Sequence, residues 1–378
     1  MYQRLFFNNN NSKALLSKII SIGKALPAYR HQQDKILRFM QNVYAMNPVE
    51  NRKLGFLYHQ SGIDTRYSVI PDYSNTIHNW EFYPQTENLD PFPSLEKRME
   101  YFNRHAATLS TDAIKNCING KIHSTEITHL ITVSCTGMSA PGLDLQVMEL
   151  MNLDANIYRT SVNFMGCYAA IHALKIADAI CKNDTTARVV IVCTELCTLH
   201  FQRESSMNSI TSGLLFADGS AAVLVTHDSF SEQGLRLNGF YSEIIPKGKK
   251  DMSWELSSSG FLMTLSGYVP ELIEEDFNSL VNKASAHIGI NRNEINEWCI
   301  HPGGKRILDA IYRSLHFKNE ELNHAYSVLK EYGNMSSPTI LFVLDKIMKE
   351  PKQKNQNIFA AAFGPGLTME TFVASAHA

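Results

Sequence analysis

The segment Val162-Asn163-Phe164-Met165-Gly166-Cys167-Tyr168-Ala169-Ala170-Ile171-His172-Ala173-Leu174-Lys175-Ile176 runs a short apolar strand through Gly166 into a helix of small residues. Ala169, Ala170, Ala173 and Ala177 favour helix and let other backbone pack close. The turn presents one thiol, Cys167, at the helix start. Unpaired backbone N–H groups and the positive end of the helix dipole there favour thiolate over thiol. A buried, inert cysteine is the competing reading, and the rest of the chain decides between the two.

With 378 residues, 44% of them apolar, the chain can bury a large core, either as one big domain or as two fused units. A net charge of −2 and a pI near 6.7 give no pull toward nucleic acid or an anionic membrane surface. No apolar run reaches the ~18 residues of a membrane span; the longest, such as Val189 to Cys193 and Ile358 to Phe363, are strand-sized. The start, Met1 to Phe7 followed by Asn8 to Asn11, lacks a signal-peptide pattern and is expected to be an untargeted, frayed end. Seven cysteines (117, 135, 167, 181, 193, 197 and 299) are odd in number and irregular in spacing. That argues against a disulfide framework and for reduced thiols in the cytoplasm.

Outward from the central segment, Ser17 to Lys24 alternates like a half-buried strand, and Pro27 precedes an amphipathic helix through Asp34, Ile36, Leu37, Phe39, Met40 and Val43. A short helix is expected over Arg52 to His59 and a long one from Ser94 to about Asn119. Thr128 to Ser134 reads as a buried strand ending at Cys135, with a helix starting near Pro141-Gly142-Leu143-Asp144. After the Cys167 helix come a strand, Arg188 to Cys193, a loop at Gln202 to Ser209, and an Asp218-Gly219 turn into a further strand. Composition turns polar near Thr226 to Gly234, which divides the chain into residues 1–226 and 227–378.

The second half repeats the first. Strand Glu297 to Ile300 ends at His301-Pro302-Gly303-Gly304, Gly333-Asn334 opens a helix through Leu341, Leu344 and Ile347, and Ile358 to Phe363 is a strand. Cys167 follows Cys135 by 32 residues, and Asn334 follows His301 by 33. Strands alternating with helices, duplicated once, predict an α/β architecture of two similar halves. Such pseudo-symmetry places Cys167, His301 and Asn334 around one cleft.

That constellation suits acyl chemistry. A nucleophilic cysteine needs a partner for its proton, and a carbonyl reaction needs donors aimed at the developing oxyanion. His301 and Asn334 supply both; taken singly, the first reads as a turn histidine and the second as a helix cap. Cys193-x-x-x-Cys197-x-x-His200 has metal-like spacing but no second Cys/His pair, so no metal is expected. Gly364-Pro365-Gly366 lacks the pattern of a phosphate loop.

At Gly166-Cys167, Leu215-Phe216-Ala217-Asp218-Gly219, His301-Pro302-Gly303-Gly304, Tyr332-Gly333-Asn334-Met335-Ser336-Ser337 and Phe363-Gly364-Pro365-Gly366-Leu367-Thr368-Met369-Glu370-Thr371, the chain resembles the type III polyketide synthases. These are the chalcone-synthase-like branch of the thiolase-fold condensing enzymes, and the resemblance spans about Ile19 to Phe372. It implies a duplicated αβαβα five-layer fold. It implies an acyltransferase that loads an acyl-CoA starter on Cys167, extends it with malonyl-CoA by decarboxylative condensation, and cyclises the product to a pyrone or resorcinol. By the same resemblance His301 and Asn334 bind the thioester carbonyl and the enolate, Phe216 is a gating residue, no cofactor is needed beyond the CoA thioesters, and the protein is a homodimer.

The departures concern the cavity. Met263 stands where plant chalcone synthases have a second gating phenylalanine, and Trp254 where they have a glycine. Cys135, Cys197 and His200 replace three threonines, Ala140 replaces a dimer-contact methionine, and Ser336 and Phe363 complete the cavity. Of the family's CoA-holding cations only Lys53 survives, since Phe56 and Gln60 occupy the other places; Arg306 is a substitute. Flexible Met263 and the Cys135 thiol suggest a redirected tunnel for a medium or long fatty acyl chain. In the rival reading Trp254 and His200 close the pocket and leave room only for malonyl or acetyl starters. Two other functions compete: an initiation enzyme of fatty-acid synthesis using malonyl-ACP, and a Cys-His-Asn thioester hydrolase.

Overall fold

The computed structural model describes residues 16–86, 88–350 and 356–376, so the expectation for Met1 to Asn11 lies outside the described residues. The chain opens with β1 (Ser17–Ala25), β2 (Tyr29–Gln32) and α1 (Gln33–Tyr44), whose buried stripe Ile36, Leu37, Phe39, Met40 and Val43 has the helical period. Helix α2 (Pro48–His59) starts a turn earlier than expected because Asn47 caps it. The Asn47 side chain accepts from the Val49 and Glu50 N–H groups, while Glu50 accepts from Asn47 N–H. β3 (Thr65–Ser68) pairs antiparallel with β2. Helix α3 (Leu95–Ile118) begins at Ser94, which accepts from Lys97 N–H.

Next come β4 (His129–Ser134), α4 (Leu143–Met151), β5 (Tyr158–Asn163), α5 (Ala169–Asn183), β6 (Arg188–Leu196), α6 (Met207–Leu215) and β7 (Asp218–His227). The second half contributes β8 (Leu235–Ile244), the hairpin β9 (Met252–Ser257) and β10 (Gly260–Leu265), α7 (Val269–Ile288), β11 (Ile295–Ile300), α8 (Lys305–Ser314), α9 (Asn323–Tyr332), α10 (Thr339–Lys349), β12 (Gln356–Gly364) and β13 (Thr368–Ala376). Nine strands form one mixed sheet in the order β11-β12-β13-β8-β1-β7-β6-β4-β5. Pairings β4/β5, β4/β6 and β11/β12 are parallel and the rest antiparallel.

Two helices lie inside. α5 touches β4, β5, β6 and β7 of the first half and β13 of the second, whereas α10 touches β11 of the second half and β1 and β7 of the first. Their composition explains the placement. α5 buries Ala169, Ala170, Ala173 and Ala177, small enough for strands on both sides, and α10 buries every residue from Thr339 to Asp345. α3 packs across β1, β6 and β7. The core is thus one continuous body to which both halves contribute.

Three local expectations change. The strand before Gly166 is not apolar: in β5 only Val162 is buried and Tyr158 to Ser161 are exposed, because β5 is the free edge of the sheet. Part of the expected loop at Gln202 to Ser209 is α6, started by Ser206, which accepts from Ser209 N–H. Asp218-Gly219 is not a turn; Asp218 begins β7, and its buried carboxylate accepts from Val69 N–H, Thr198 N–H and the Thr198 hydroxyl. Three donors from two residues elsewhere in the chain outweigh the local turn preference of Asp-Gly.

Candidate active site

Cys167 sits in a single 3-10 turn, Gly166–Tyr168, that feeds directly into α5. Gly166 has φ +76, and a Cβ there would lie 2.3 Å from Pro365 Cδ. Only glycine allows the turn to press against the loop between β12 and β13. The Gly166 N–H donates to Cys135 Sγ at 3.0 Å, which ties the turn to the end of β4.

The Cys167 thiol is nearly buried, 9% exposed, and donates to Ser336 Oγ at 3.5 Å. Ser336 N–H in turn donates to Asn334 Oδ1 at 2.8 Å, and Asn334 Nδ2 donates to Gly303 O at 3.2 Å. Gly303 is two residues past His301, whose ring is buried with neither nitrogen partnered. The junctions carrying Cys167, Asn334 and His301 therefore meet, as the duplicated spacing predicts. Asn334 is fixed by its main chain: it donates to Leu215 O at 3.0 Å and accepts from Ala217 N–H at 2.9 Å, on either side of Phe216.

Electrostatics here follow from dryness. Burial, and secondarily the charge of Glu195, push the Cys167 thiol up to about 11, although hydrogen bonding with Ser336 and Asn334 opposes the rise. This corrects the thiolate expected at a helix start, because removal from water outweighs the helix end. Burial alone holds the His301 imidazolium down to about 3, so at neutral pH the ring is uncharged.

The remaining site residues separate into groups. Cys135, Cys167, Cys197, Phe216, Met252, Trp254, Met263, Ser336 and Pro365 enclose a cavity of about 30 Å³, the room of a single water. Trp254 closes it: its indole N–H donates to Cys135 O at 2.7 Å, and its ring stands edge-on to His200 and Phe261. Beyond Cys197, Phe216, Trp254 and Met263 lies a larger cavity of about 210 Å³, reaching the Ser206 to Ser212 segment. His200 faces this second space. Its Nε2 donates to Thr136 O at 2.7 Å and its Nδ1 accepts from Phe261 N–H, so both nitrogens are occupied by backbone.

Phe363 lies away from both cavities. It packs on Phe277 of α7, and Pro365, two residues on, reaches the wall instead. Arg306 is solvent-exposed and paired with Glu271 at 2.9 Å, whereas Lys53 forms no ion pair among the described residues and borders a surface groove with Val49, Arg52, Phe56, Leu57 and Met207. All seven cysteines are free. Among the described residues no cluster of three or more His, Cys, Asp or Glu is placed to hold a metal.

Sequence reasoning missed Glu195. It lies at the end of β6, wholly buried, and accepts from Cys135 N–H at 2.9 Å, the Thr136 hydroxyl at 2.8 Å and the Ser337 hydroxyl at 2.8 Å. Its signal was an acid near the end of a strand that is apolar from Val189 to Cys193. Burial raises its carboxyl to about 7 against these donors.

The molecule is a mixed α/β body with a thiol at the head of a buried helix, linked through Ser336 and Asn334 to the loop that follows an uncharged histidine. The N-terminal domain pattern of the chalcone and stilbene synthases matches residues 7–229, and the C-terminal domain pattern matches residues 237–377. The chain belongs to the chalcone and stilbene synthase family, that of the type III polyketide synthases, which are condensing acyltransferases. It is 28% identical to type III polyketide synthase C of Arabidopsis thaliana over 94% of each chain. The crystal structure of PKS-I from the brown alga Ectocarpus siliculosus superposes with a TM-score of 0.88 at 24% identity, covering 97% of this chain and all of that one. The C-terminal type III polyketide synthase domain of Steely1, a type I/III hybrid from Dictyostelium, gives 0.87 at 26%, covering 96% of this chain and all of that one. The fold is thus thiolase-like.

Glu195 provides a pH test. Its folded pKa lies above the ordinary carboxylate value of 4.5, so the stability it contributes is fully present below pH 4.5 and is lost as pH rises through 7. Denaturant unfolding from pH 4.5 to 8.5 should show the wild type losing roughly 3 kcal/mol more than Glu195→Gln, at about 1.4 kcal/mol for each tenfold difference in proton affinity between the folded and unfolded chain. Parallel stability curves would show that the carboxyl ionises freely in the fold.

Proposed function

We propose that the chain loads a thioester starter on Cys167 and extends it with malonyl thioester units, His301 and Asn334 serving as the donors for both carbonyl chemistry and decarboxylation. The observation that carries this reading is the His301 ring, buried with both nitrogens unpartnered at the junction that Asn334 also touches. A buried ring whose nitrogens are not committed to the protein is free to meet the oxygen of a substrate.

The uncharged states fit the chemistry. As Cys167 sulfur bonds to the thioester carbonyl carbon, its proton passes to one nitrogen of His301 and then to the departing thiolate, so no stable ion pair is needed beforehand. His301 and the Asn334 amide stabilise the oxyanion as donors. When the malonyl carboxylate leaves as carbon dioxide, the electron pair of the broken C–C bond becomes the enolate, and the same donors receive its oxygen without any base. Phe216, 8% exposed between the two cavities, keeps water from the carboxylate.

The larger cavity reaches the surface segment at the start of α6, and the groove bearing Lys53 and Arg52 includes Met207 of the same helix. This supports entry of the thioester arm there, with CoA phosphates beside Lys53. Arg306, committed to Glu271, is not assigned a part. No group beyond the CoA thioesters is required, and the free thiols suit the reducing cytoplasm.

The 30 Å³ left around Cys167, with Trp254 hydrogen-bonded to main chain, supports a small starter such as acetyl or malonyl and a small pyrone or polyhydroxybenzene product. A second reading, a medium or long fatty acyl starter, is favoured by the wall that the two cavities share, which includes the movable Met263 and the small Cys197. We further propose a homodimer. The sheet ends on β5 with Tyr158 71% exposed, and an open sheet edge bearing an exposed aromatic side chain calls for a partner.

Three measurements check these readings. Cys167→Ala should abolish chain extension yet keep some malonyl-CoA decarboxylation, while Asn334→Ala should lower decarboxylation about 100-fold and still show the acyl mass shift on the intact protein. Loss of acylation first in Asn334→Ala would reverse the roles. With a panel of acyl-CoA starters, wild type should prefer two- to four-carbon acyl groups, by about tenfold or more, and Trp254→Gly should accept longer or aromatic ones. Wild-type preference for long chains, shortened by Cys197→Phe, would establish the second reading instead. Sedimentation at micromolar concentration should give twice the 42.6 kDa chain mass; a 42.6 kDa species alone would exclude the dimer.

A further inference from the structure

We propose that Arg66 is a positioning residue for the condensation, holding the main chain of Phe216, and Asn334 paired with it, where decarboxylation needs them. The inference rests on the role given to Asn334 above.

Arg66 lies in β3 and is 3% exposed, with no carboxylate within ion-pair reach among the described residues. Instead its guanidinium holds neutral groups around one short piece of chain. Nη1 donates to Phe216 O at 2.6 Å, and Nε donates to Gln33 Oε1 at 2.9 Å. Gln33 Nε2 reaches the same piece from the other side, donating to Leu214 O at 3.0 Å. Leu214 to Ala217 is the segment whose main chain brackets Asn334. A rigid, planar fork with donors in fixed directions is suited to locking a backbone in place, and a flexible ammonium is not.

The second side of the clamp is Gly333. Its φ is +70, and a Cβ there would stand 2.9 Å from Arg66 Cγ, 3.0 Å from Arg66 Cδ and 3.0 Å from Leu215 O. The residue before Asn334 therefore rests on the arginine stem, while the residue paired with Asn334 is held by the arginine head. Neighbouring contacts keep β3 itself in register with this site. The Thr65 hydroxyl donates to Glu331 O at 2.6 Å, Asp64 N–H donates to Lys330 O at 2.8 Å, and Tyr67 stacks on Tyr332. Burying a cation with no carboxylate in direct contact is costly. Burial lowers the pKa of Arg66, partly offset by the Tyr58, Tyr73 and Asp218 side chains, and Nη2 is buried without a partner beside the larger cavity. A fold needing only packing here would hold this segment more cheaply with an apolar side chain.

The test uses Arg66→Met, which keeps a stem against Gly333 and removes the fork. It also uses Arg66→Lys, Asn334→Ala and the Arg66→Met/Asn334→Ala double variant, all in the full chain and checked for wild-type thermal unfolding. Arg66→Met should lower kcat for malonyl-CoA decarboxylation about 10- to 100-fold, the scale of an ångström displacement. KM for malonyl-CoA and acylation of Cys167 should stay within about twofold. Arg66→Lys should recover part of the loss through one donor to Phe216 O. In the Asn334→Ala background the Arg66→Met loss should vanish, since two residues acting through one position are not additive.

An Arg66→Met protein that folds and decarboxylates like wild type overturns the inference. So does an equal loss in both backgrounds. Asn334→Ala retaining full decarboxylation overturns the functional reading, and the inference falls with it. Should Arg66→Met not fold, Gln33→Leu, which removes the support of Nε and the bond to Leu214 O but leaves the arginine on Phe216 O, must show a smaller loss in the same direction that Asn334→Ala abolishes; failing either overturns the inference.

Discussion

Two main-chain hydrogen bonds, from Asn334 to Leu215 and from Ala217 to Asn334, hold this molecule's chemistry together. They join a residue of the second half to a segment of the first with no side chain involved. Everything placed on either segment inherits the alignment: Phe216 on one strand of the bridge, the Asn334 amide on the other, and Ser336 two residues further on, within reach of the Cys167 thiol. Main-chain pairing is the least adjustable contact a protein makes, since it survives most substitutions of the residues that form it. The two central helices make it possible, because α5 and α10 are clothed in residues that strands can cover on more than one side.

Water exclusion is the second governing fact. Cys167, His301 and Glu195 are each held toward their uncharged forms by burial. The same cause acts on three different chemistries and leaves Cys167 and His301 uncharged at neutral pH. In such a medium a small number of hydrogen-bond donors has a large effect on any charge that develops. The scarcity of cations near the thiol is therefore consistent with a reaction whose negative charge appears and vanishes within a catalytic cycle.

Much of this was legible in the chain. The stripe of α1, the cap of α3 and the alanine-rich α5 are local patterns, and the nearly equal spacing of Cys135 to Cys167 and His301 to Asn334 anticipated that their junctions meet; β1 was legible as a strand, but it lies mid-sheet and its first four residues are all buried instead of alternating. What escaped were features decided by partners far along the chain. Asp218-Gly219 reads as a turn until Val69 and Thr198 supply their donors, 149 and 20 residues away. α6 hid among serines because its cap, Ser206, looks like loop. Glu195 and Arg66 carry no periodic signature, since each is held by contacts with segments between 33 and 150 residues distant. Phe363 was misplaced by proximity in sequence to a motif, although strand alternation turns its ring to Phe277.

The small, closed space around Cys167 bears on time as well as shape. An acyl-cysteine thioester is a high-energy species that water destroys, and a chain-building enzyme must keep it through several successive encounters with fresh extender. A compartment with room for about one water molecule, roofed by an indole tied to the Cys135 carbonyl, limits how often hydrolysis can intervene between those encounters. On the proposed reading, in which Cys167 carries the growing chain, the lifetime of the intermediate depends on how seldom water reaches that space as much as on how quickly carbon–carbon bonds form.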